Sequence, residues 1–354
     1  MKIFVTGGNG FIGSVVVKML AGEDHQVRCM LRSTSDCQRL RDVALERVEG
    51  DVRDLAAVRR GMQGCDGVIH LASMSSWTET DFPRVKEVAV EGTRNVLDAA
   101  RSLGGPRVVF ISSAVTVNGS LAPQVFDESS AWTLGETGFV YADAKRAAEA
   151  LCLEAARAGL PVVIVNPTEV YGPHDTSLVT AGNLVDFTKG KWVFVCQGGT
   201  SVVHVEDVAR GIVRALERGI PGQRYILGGE NLTIRELAAT TLDLMGLRRR
   251  IVSVPNVLAR AIGRLGLALR LPLPFNPHVI PYATRYWFVD ASKAQRELGV
   301  SFRPARETLA SVVEWLCEAG YCRAIGTRTP SPGPAPVGPV NRSRAVSARA
   351  GSLN

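Results

Sequence analysis

Tyr141 and Lys145 stand four residues apart in the run TGFVYADAKRAAEALCLEAARAGLPVVIVNP. On a helix, that spacing puts both side chains on one face, one turn apart. A free tyrosine titrates near ~10. An ammonium beside it favours the phenolate, so the spacing predicts a lowered pKa and a usable acid or base near neutral pH. Such a pair moves a proton on or off an oxygen, as the interconversion of a hydroxyl and a carbonyl requires. A third group should polarise that oxygen, and the upstream run FISSAVTV carries two serines. Ser113 is the better-placed donor and Ser112 its neighbour. A tyrosine and lysine at this spacing also recur on ordinary surface helices, so the pair gains meaning only from the elements that position it.

Those elements are short β-rich runs separated by helical patterns: KIFVTG, HQVRCMLR, LERVEGDV, GVIHLAS, RVVFISS and PVVIVNP. Nearly continuous apolar strands alternating with helices predict an α/β fold, a doubly wound parallel sheet of Rossmann type covered on both faces. Right-handed crossovers then collect the strand C-termini on one edge, where ligands bind. The first strand runs directly into TGGNGFIG, with Thr6, Gly7, Gly10 and Gly13. Glycines there allow a tight turn, a close approach to a pyrophosphate, and close packing of the helix that Gly13 opens. The helix N-terminus offers free N–H groups to the phosphates. About twenty residues further on, an acid would bind the ribose hydroxyls of NAD. MLRSTSD instead supplies Arg32 and Ser33, groups that suit a 2′-phosphate, so NADP is expected in preference to NAD. Asp51 ends the third strand, placed to accept from an adenine amine, while Asp54 caps the next helix.

Taken together, these motifs resemble the extended short-chain dehydrogenase/reductase family (NAD-dependent epimerase/dehydratases). The resemblance rests on TGxxGxxG at 6–13, Asp51, HLA at 70–72, Ser113, the Tyr141/Lys145 pair, NPTEVYGP at 166–173 and VVHVEDVARG at 202–211. It covers residues 1 to about 320. It implies hydride exchange between a nicotinamide and a carbinol or ketone. Tyr141 is then the acid/base, Lys145 binds the nicotinamide ribose and tunes the tyrosine, and Ser113 hydrogen-bonds the substrate oxygen. By the same resemblance Phe11, Ile12, Val52, Leu71, Ala72, Pro167 and Thr168 join the cofactor contacts, and Ser73, Trp77, Ser112 and Val170 face the substrate. Two positions depart from the family pattern: Ala89 stands where the family often has a relay asparagine, and Ala144 where it usually has serine.

The sequence pattern places a Rossmann domain over 1–170, a substrate lobe over 171–321 with segments returning to the first domain, and a disordered tail over 322–354. The tail is rich in Pro, Gly, Ser and Arg and cannot offset its ordering entropy by burial. Its five arginines account for most of the net charge of +7, so charge gives no indication of a nucleic-acid partner. Seven scattered cysteines with no CxxC fit a reducing cytoplasm. A strand beginning at residue 3 leaves no room for a signal peptide. No metal set is read: His204, Glu206 and Asp207 fit a structural role and a helix cap at a strand-to-helix junction. In the second half, TIRELAATTLDLMGL and DASKAQRELGV read as helices among irregular segments. Its runs SLVTAGNLVDF, WVFV and LGLALRLPLPF are apolar, with Arg285 as the arginine a sugar diphosphate would need. Residues 255–275 combine an apolar face with arginines, as in a helix that rests on a membrane surface. The expected substrate is therefore a hydrophobic ring molecule, sterol-, terpenoid- or flavonoid-like. The resemblance is nearest to dihydroflavonol reductase-like, 3β-hydroxysteroid dehydrogenase-like and hopanoid-associated sugar epimerase-like members. A nucleotide-sugar epimerase or dehydratase and a non-catalytic cofactor sensor stay open as alternatives, and a homodimer as the assembly.

Overall fold

A computed structural model of the chain describes residues 1–74, 82–135, 140–269 and 279–323. The apolar runs become seven strands: β1 (Lys2–Thr6), β2 (Gln26–Leu31), β3 (Glu46–Glu49), β4 (Gly67–His70), β5 (Arg107–Ile111), β6 (Val162–Pro167) and β7 (Arg224–Leu227). They pair in parallel in the order β7-β6-β5-β4-β1-β2-β3. Central strands are buried on both faces, as their unbroken apolar sequences require. The third strand is shorter than its sequence run and largely exposed, as an edge strand tolerates.

Helices cover both faces. α1 (Phe11–Gly22) and α5 (Val205–Arg218) lie on one side, where Val16, Val17, Leu20, Val208 and Ile212 pack against the sheet. On the other side are α2 (Leu55–Met62), α3 over 82–102 and α4 (Val140–Arg157). Val58, Met62, Val96, Ala148 and Cys152 fill that core. The Asp54 carboxylate accepts from Ala57 N at 3.1 Å and caps α2. Within α3, a π-helical turn at Glu87–Glu91 separates Phe82–Lys86 from Gly92–Ser102. The strand order reverses between β1 and β4, so a crevice opens where their C-terminal ends diverge.

The βα alternation continues beyond residue 170. Helix α5 and β7 extend it and complete the parallel sheet from the second half of the chain. The remaining elements build a mixed lobe. Glu169–Tyr171, Gly199–His204 and Glu230–Thr233 form one small sheet, and Trp192–Cys196 pairs with Arg250–Val254 in another. Helices Ala181–Thr188, Ile234–Leu244 and Ala305–Glu318 pack on them through Leu184, Leu237 and Leu316. Ile234–Leu244 starts on a capping box, Thr233 with Glu236. The second expected helix spans Ser292–Leu298. Residues 324–354, and with them nearly all of the expected tail, lie outside the described residues.

Candidate active site

The strand C-termini and the lobe enclose a cleft of about 580 Å³. Thr6, Gly7, Gly10, Phe11, Ile12 and Gly13 line its floor at the β1–α1 turn. Gly7 has φ +73, and a Cβ there would lie 2.7 Å from Ala72 N. A Cβ on Gly13 would fall 2.1 Å from Gly7 O, so the turn closes only without side chains. Gly10 caps α1 with no side-chain bond, and the first turn carries no acid. The N-terminal donors of α1 therefore face the cleft for an anion. Leu71 and Ala72 run alongside, with Leu71 N donating to Thr6 O at 3.0 Å and Ala72 N to Thr6 Oγ1 at 3.4 Å. These residues could hold a dinucleotide pyrophosphate.

Further along, the cleft is lined by Met30, Arg32, Ser35, Arg39, Asp51 and Val52. Arg32 is exposed at the end of β2. Arg39 and Ser35 escaped the sequence reading. Arg39 lies in a short 3₁₀ turn over Gln38–Leu40, which no periodicity announces. Its guanidinium donates to Asn9 O, to His174 O at 2.9 Å and to Thr176 Oγ1 at 2.6 Å. It thereby ties the glycine turn to the loop that follows NPTEVYGP. The Asp51 carboxylate is already gripped by Arg53, with Nε and Nη2 each at 3.0 Å. Those bonds hold its pKa below the usual carboxylate range. Any adenine amine would share an acceptor that Arg53 occupies.

At the other end Ser113, Tyr141 and Lys145 meet, with Ser73, Pro167, Thr168 and Val170 around them. The Ser113 and Tyr141 side chains are hydrogen-bonded. Lys145 is buried on α4 and donates to Ile111 O at 2.7 Å. The expected lowering of the tyrosine pKa is not what the structure shows. Burial pushes the Tyr141 phenol up, and only the Ser113 hydrogen bond opposes it. The same burial pulls Lys145 down to about 8. With its ammonium turned to the Ile111 carbonyl, desolvation outweighs any attraction between the pair.

Ser112 lines the cleft, but it is buried and its hydroxyl donates to Glu149 Oε2 at 2.5 Å. Glu149, one turn beyond Lys145, also accepts from Thr116 at 2.7 Å and from Asn166 at 2.8 Å, and pairs with Arg224 at 3.2 Å. This buried hub, missed from sequence, pins α4 to the ends of β5 and β6. Trp77 lies outside the described residues. His70 is buried and bridges Thr6 Oγ1 (2.7 Å) and Thr93 Oγ1 (3.1 Å). Burial lowers its pKa to about 3, so it is neutral. His204 caps α5, and Asp207 pairs with Arg303. Arg285 donates to Pro281 O at 2.8 Å and does not line the cleft.

The NAD dependent epimerase/dehydratase family model matches residues 3–228. The chain is 33% identical over 332 residues to sterol demethylase protein B of Methylococcus capsulatus, covering 90% of this chain and 99% of that protein. It is 32% identical over 317 residues to the 4-hydroxy-2-methyl-3-oxo-4-farnesyl-3,4-dihydroquinoline-1-oxide ketoreductase of Stigmatella aurantiaca, covering 86% and 92%. A solved nucleoside-diphosphate-sugar epimerase from Pseudomonas aeruginosa superposes with a TM-score of 0.76 at 27% identity, covering 91% of this chain and 99% of that one.

Proposed function

Because the chain belongs to the NAD-dependent epimerase/dehydratase family of oxidoreductases, we propose that it interconverts a hydroxyl and a ketone on a hydrophobic ring substrate, with NADP preferred to NAD. The observation that carries this reading is the hydrogen-bonded Ser113–Tyr141 pair, set beside Lys145 in the cleft that the glycine turn opens. When bound, the nicotinamide supplies or accepts the hydride. Ser113 orients the substrate oxygen, and Tyr141 gives a proton to it in reduction or takes one in oxidation. A phenol raised by burial is held protonated at neutral pH, ready to act as the acid. Lys145, at about 8, keeps most of its charge at pH 7 and supports the developing phenolate.

Two features support the finer assignments. Arg32, Ser35 and Arg39 at the β2 end suit a 2′-phosphate. Met74, Val88, Val170 and Val179 give the substrate end an apolar wall, in keeping with relatives named for a sterol and for a farnesylated quinoline. An apolar substrate also fits an enzyme that meets it at a membrane surface.

The test is NADPH consumption against a panel of ring ketones, including ketosteroids, and a panel of UDP-sugars. Net turnover of NADPH with a ketone is expected. Conversion of a sugar nucleotide with no net use of cofactor would replace this reading by the epimerase one. Tyr141→Phe should lower turnover by roughly 10²–10⁴-fold with NADPH affinity retained. Undiminished turnover in that variant would remove Tyr141 from the chemistry.

A further inference from the structure

The helix Asn256–Leu269 is amphipathic in the inverse sense. A surface helix ordinarily turns its large apolar residues to the core. Among the side chains described on this helix, those facing the protein are small: Ala259, Gly263 and Gly266 are buried. A Cβ on Gly263 would lie 2.8 Å from Ile280 Cδ1, so that contact admits nothing larger. Five large apolar side chains point the other way. Val257 is 84% exposed and Leu265 57%, with Leu258, Ile262 and Leu269 beside them. The helix is held in this orientation, because Arg260 Nε donates to Thr284 Oγ1 at 2.9 Å. Asn256 clasps Gln197 through both its amide groups, at 2.9 and 2.6 Å. That clasp joins the helix to the ribbon Trp192–Cys196, whose exposed Trp192 and Phe194 share one face.

Charge distinguishes what this surface meets. Between Asp243 and Asp290 the sequence has seven arginines and no acidic residue. Arg264 is exposed on the flank of the helix, and Arg248, Arg249 and Arg250 lead into the strand before it. Arg250 lies over the Trp192 ring at 5.2 Å. Lys191 adds a further cation, while Lys189 is paired with Asp186 at 2.6 Å. In a two-fold dimer this patch would face its own copy and set arginine against arginine. An anionic surface meets the same patch with opposite charge, and its acyl region accepts the leucines. The helix rests on the segment around Ile280.

We propose that Asn256–Leu269, with the exposed Trp192 and Phe194, docks the enzyme on an anionic lipid bilayer. Among the described residues no helix is long and apolar enough to cross a membrane, so the attachment is to the surface. The purpose of docking rests on the hydrophobic-substrate reading, but the attachment is measured without it. The full-length protein should co-sediment with vesicles of equal parts phosphatidylcholine and phosphatidylglycerol, bind pure phosphatidylcholine more weakly, and be released by high salt. Leu258→Asp with Leu265→Asp should abolish binding to both vesicles. Arg248→Gln with Arg249→Gln should weaken binding to the mixed vesicles by about fivefold per arginine, the factor for ~1 kcal/mol each. NADPH affinity and the thermal midpoint of all variants should match wild type, which shows that they fold. Failure of wild type to bind either vesicle would overturn the proposal, as would variants that bind undiminished. A lipid-indifferent dimer that the leucine variant splits would assign the face to a second copy instead. Vesicle binding without turnover of any ring ketone would leave the docking surface standing and reject the substrate class.

Discussion

At Arg32 the proposed preference for NADP can be tested on one side chain. The end of β2 carries a guanidinium where a ribose-binding acid would otherwise stand. Arg32→Ala should weaken NADPH binding by one to two orders of magnitude and spare NADH, since a hydrogen bond to a charged group contributes roughly 1.5–3 kcal/mol. Equal losses for both cofactors in a fluorescence titration would reject the 2′-phosphate assignment. His70 is a residue whose role is to stay neutral. It holds Thr6 and Thr93 by opposite ring nitrogens, and burial puts its pKa near about 3 against 6.5 when free. Its folded pKa is depressed, so its contribution to stability is complete above about 6.5 and is lost as pH falls toward about 3. His70→Gln should flatten the fall of thermal midpoint across that window. An unchanged acid slope would mean other groups govern it.

Among the elements, the β1–α1 turn and the α3–α4 contact carry the site. Gly13 sits where a Cβ would meet Gly7 O at 2.1 Å. Gly13→Ala should therefore open the turn, lower NADPH affinity more than tenfold, and cost about 1–3 kcal/mol of stability in urea unfolding, the range for overpacking. Retained affinity would show that the turn relaxes without consequence. The two departures from the family pattern are a single packing feature in this chain. Ala89, in the π-turn of α3, and Ala144 on α4 lie with Val85 in one small apolar cluster. Two alanines let the helices approach where the family usually places polar groups.

On the scale of the whole molecule, the second half of the chain locks onto the first. Arg303 reaches Asp207 through Nη2 at 2.8 Å and Nε at 3.1 Å, and its N–H donates to the same carboxylate at 2.9 Å. The C-terminal helix Ala305–Glu318 is thereby anchored to α5. Asp207→Asn should lower unfolding free energy by roughly 2–3 kcal/mol and speed limited proteolysis just before residue 305. Proteolysis at the wild-type rate would show that apolar packing alone holds the helix. Arg39 makes the corresponding bridge at the cleft, from the Asn9 turn to the His174–Thr176 loop.

Local rules determined much of this protein. Unbroken apolar strands implied two covered faces, TGGNGFIG specified a turn that only glycine can make, and four-residue spacing put Tyr141 and Lys145 on one face. Each depends on neighbours in the chain, so each is legible without the fold. Strand β7 was not: its four residues are too short to carry a period, and β6 makes them a strand by pairing. Glu149 reads locally as a solvated helix residue. It is the hub of the site only because Ser112, Thr116, Asn166 and Arg224 arrive from distant positions. The proton balance of Tyr141 likewise belongs to the tertiary structure. Spacing set an ammonium beside a phenol, but burial, which no spacing encodes, moved the phenol up and the ammonium down.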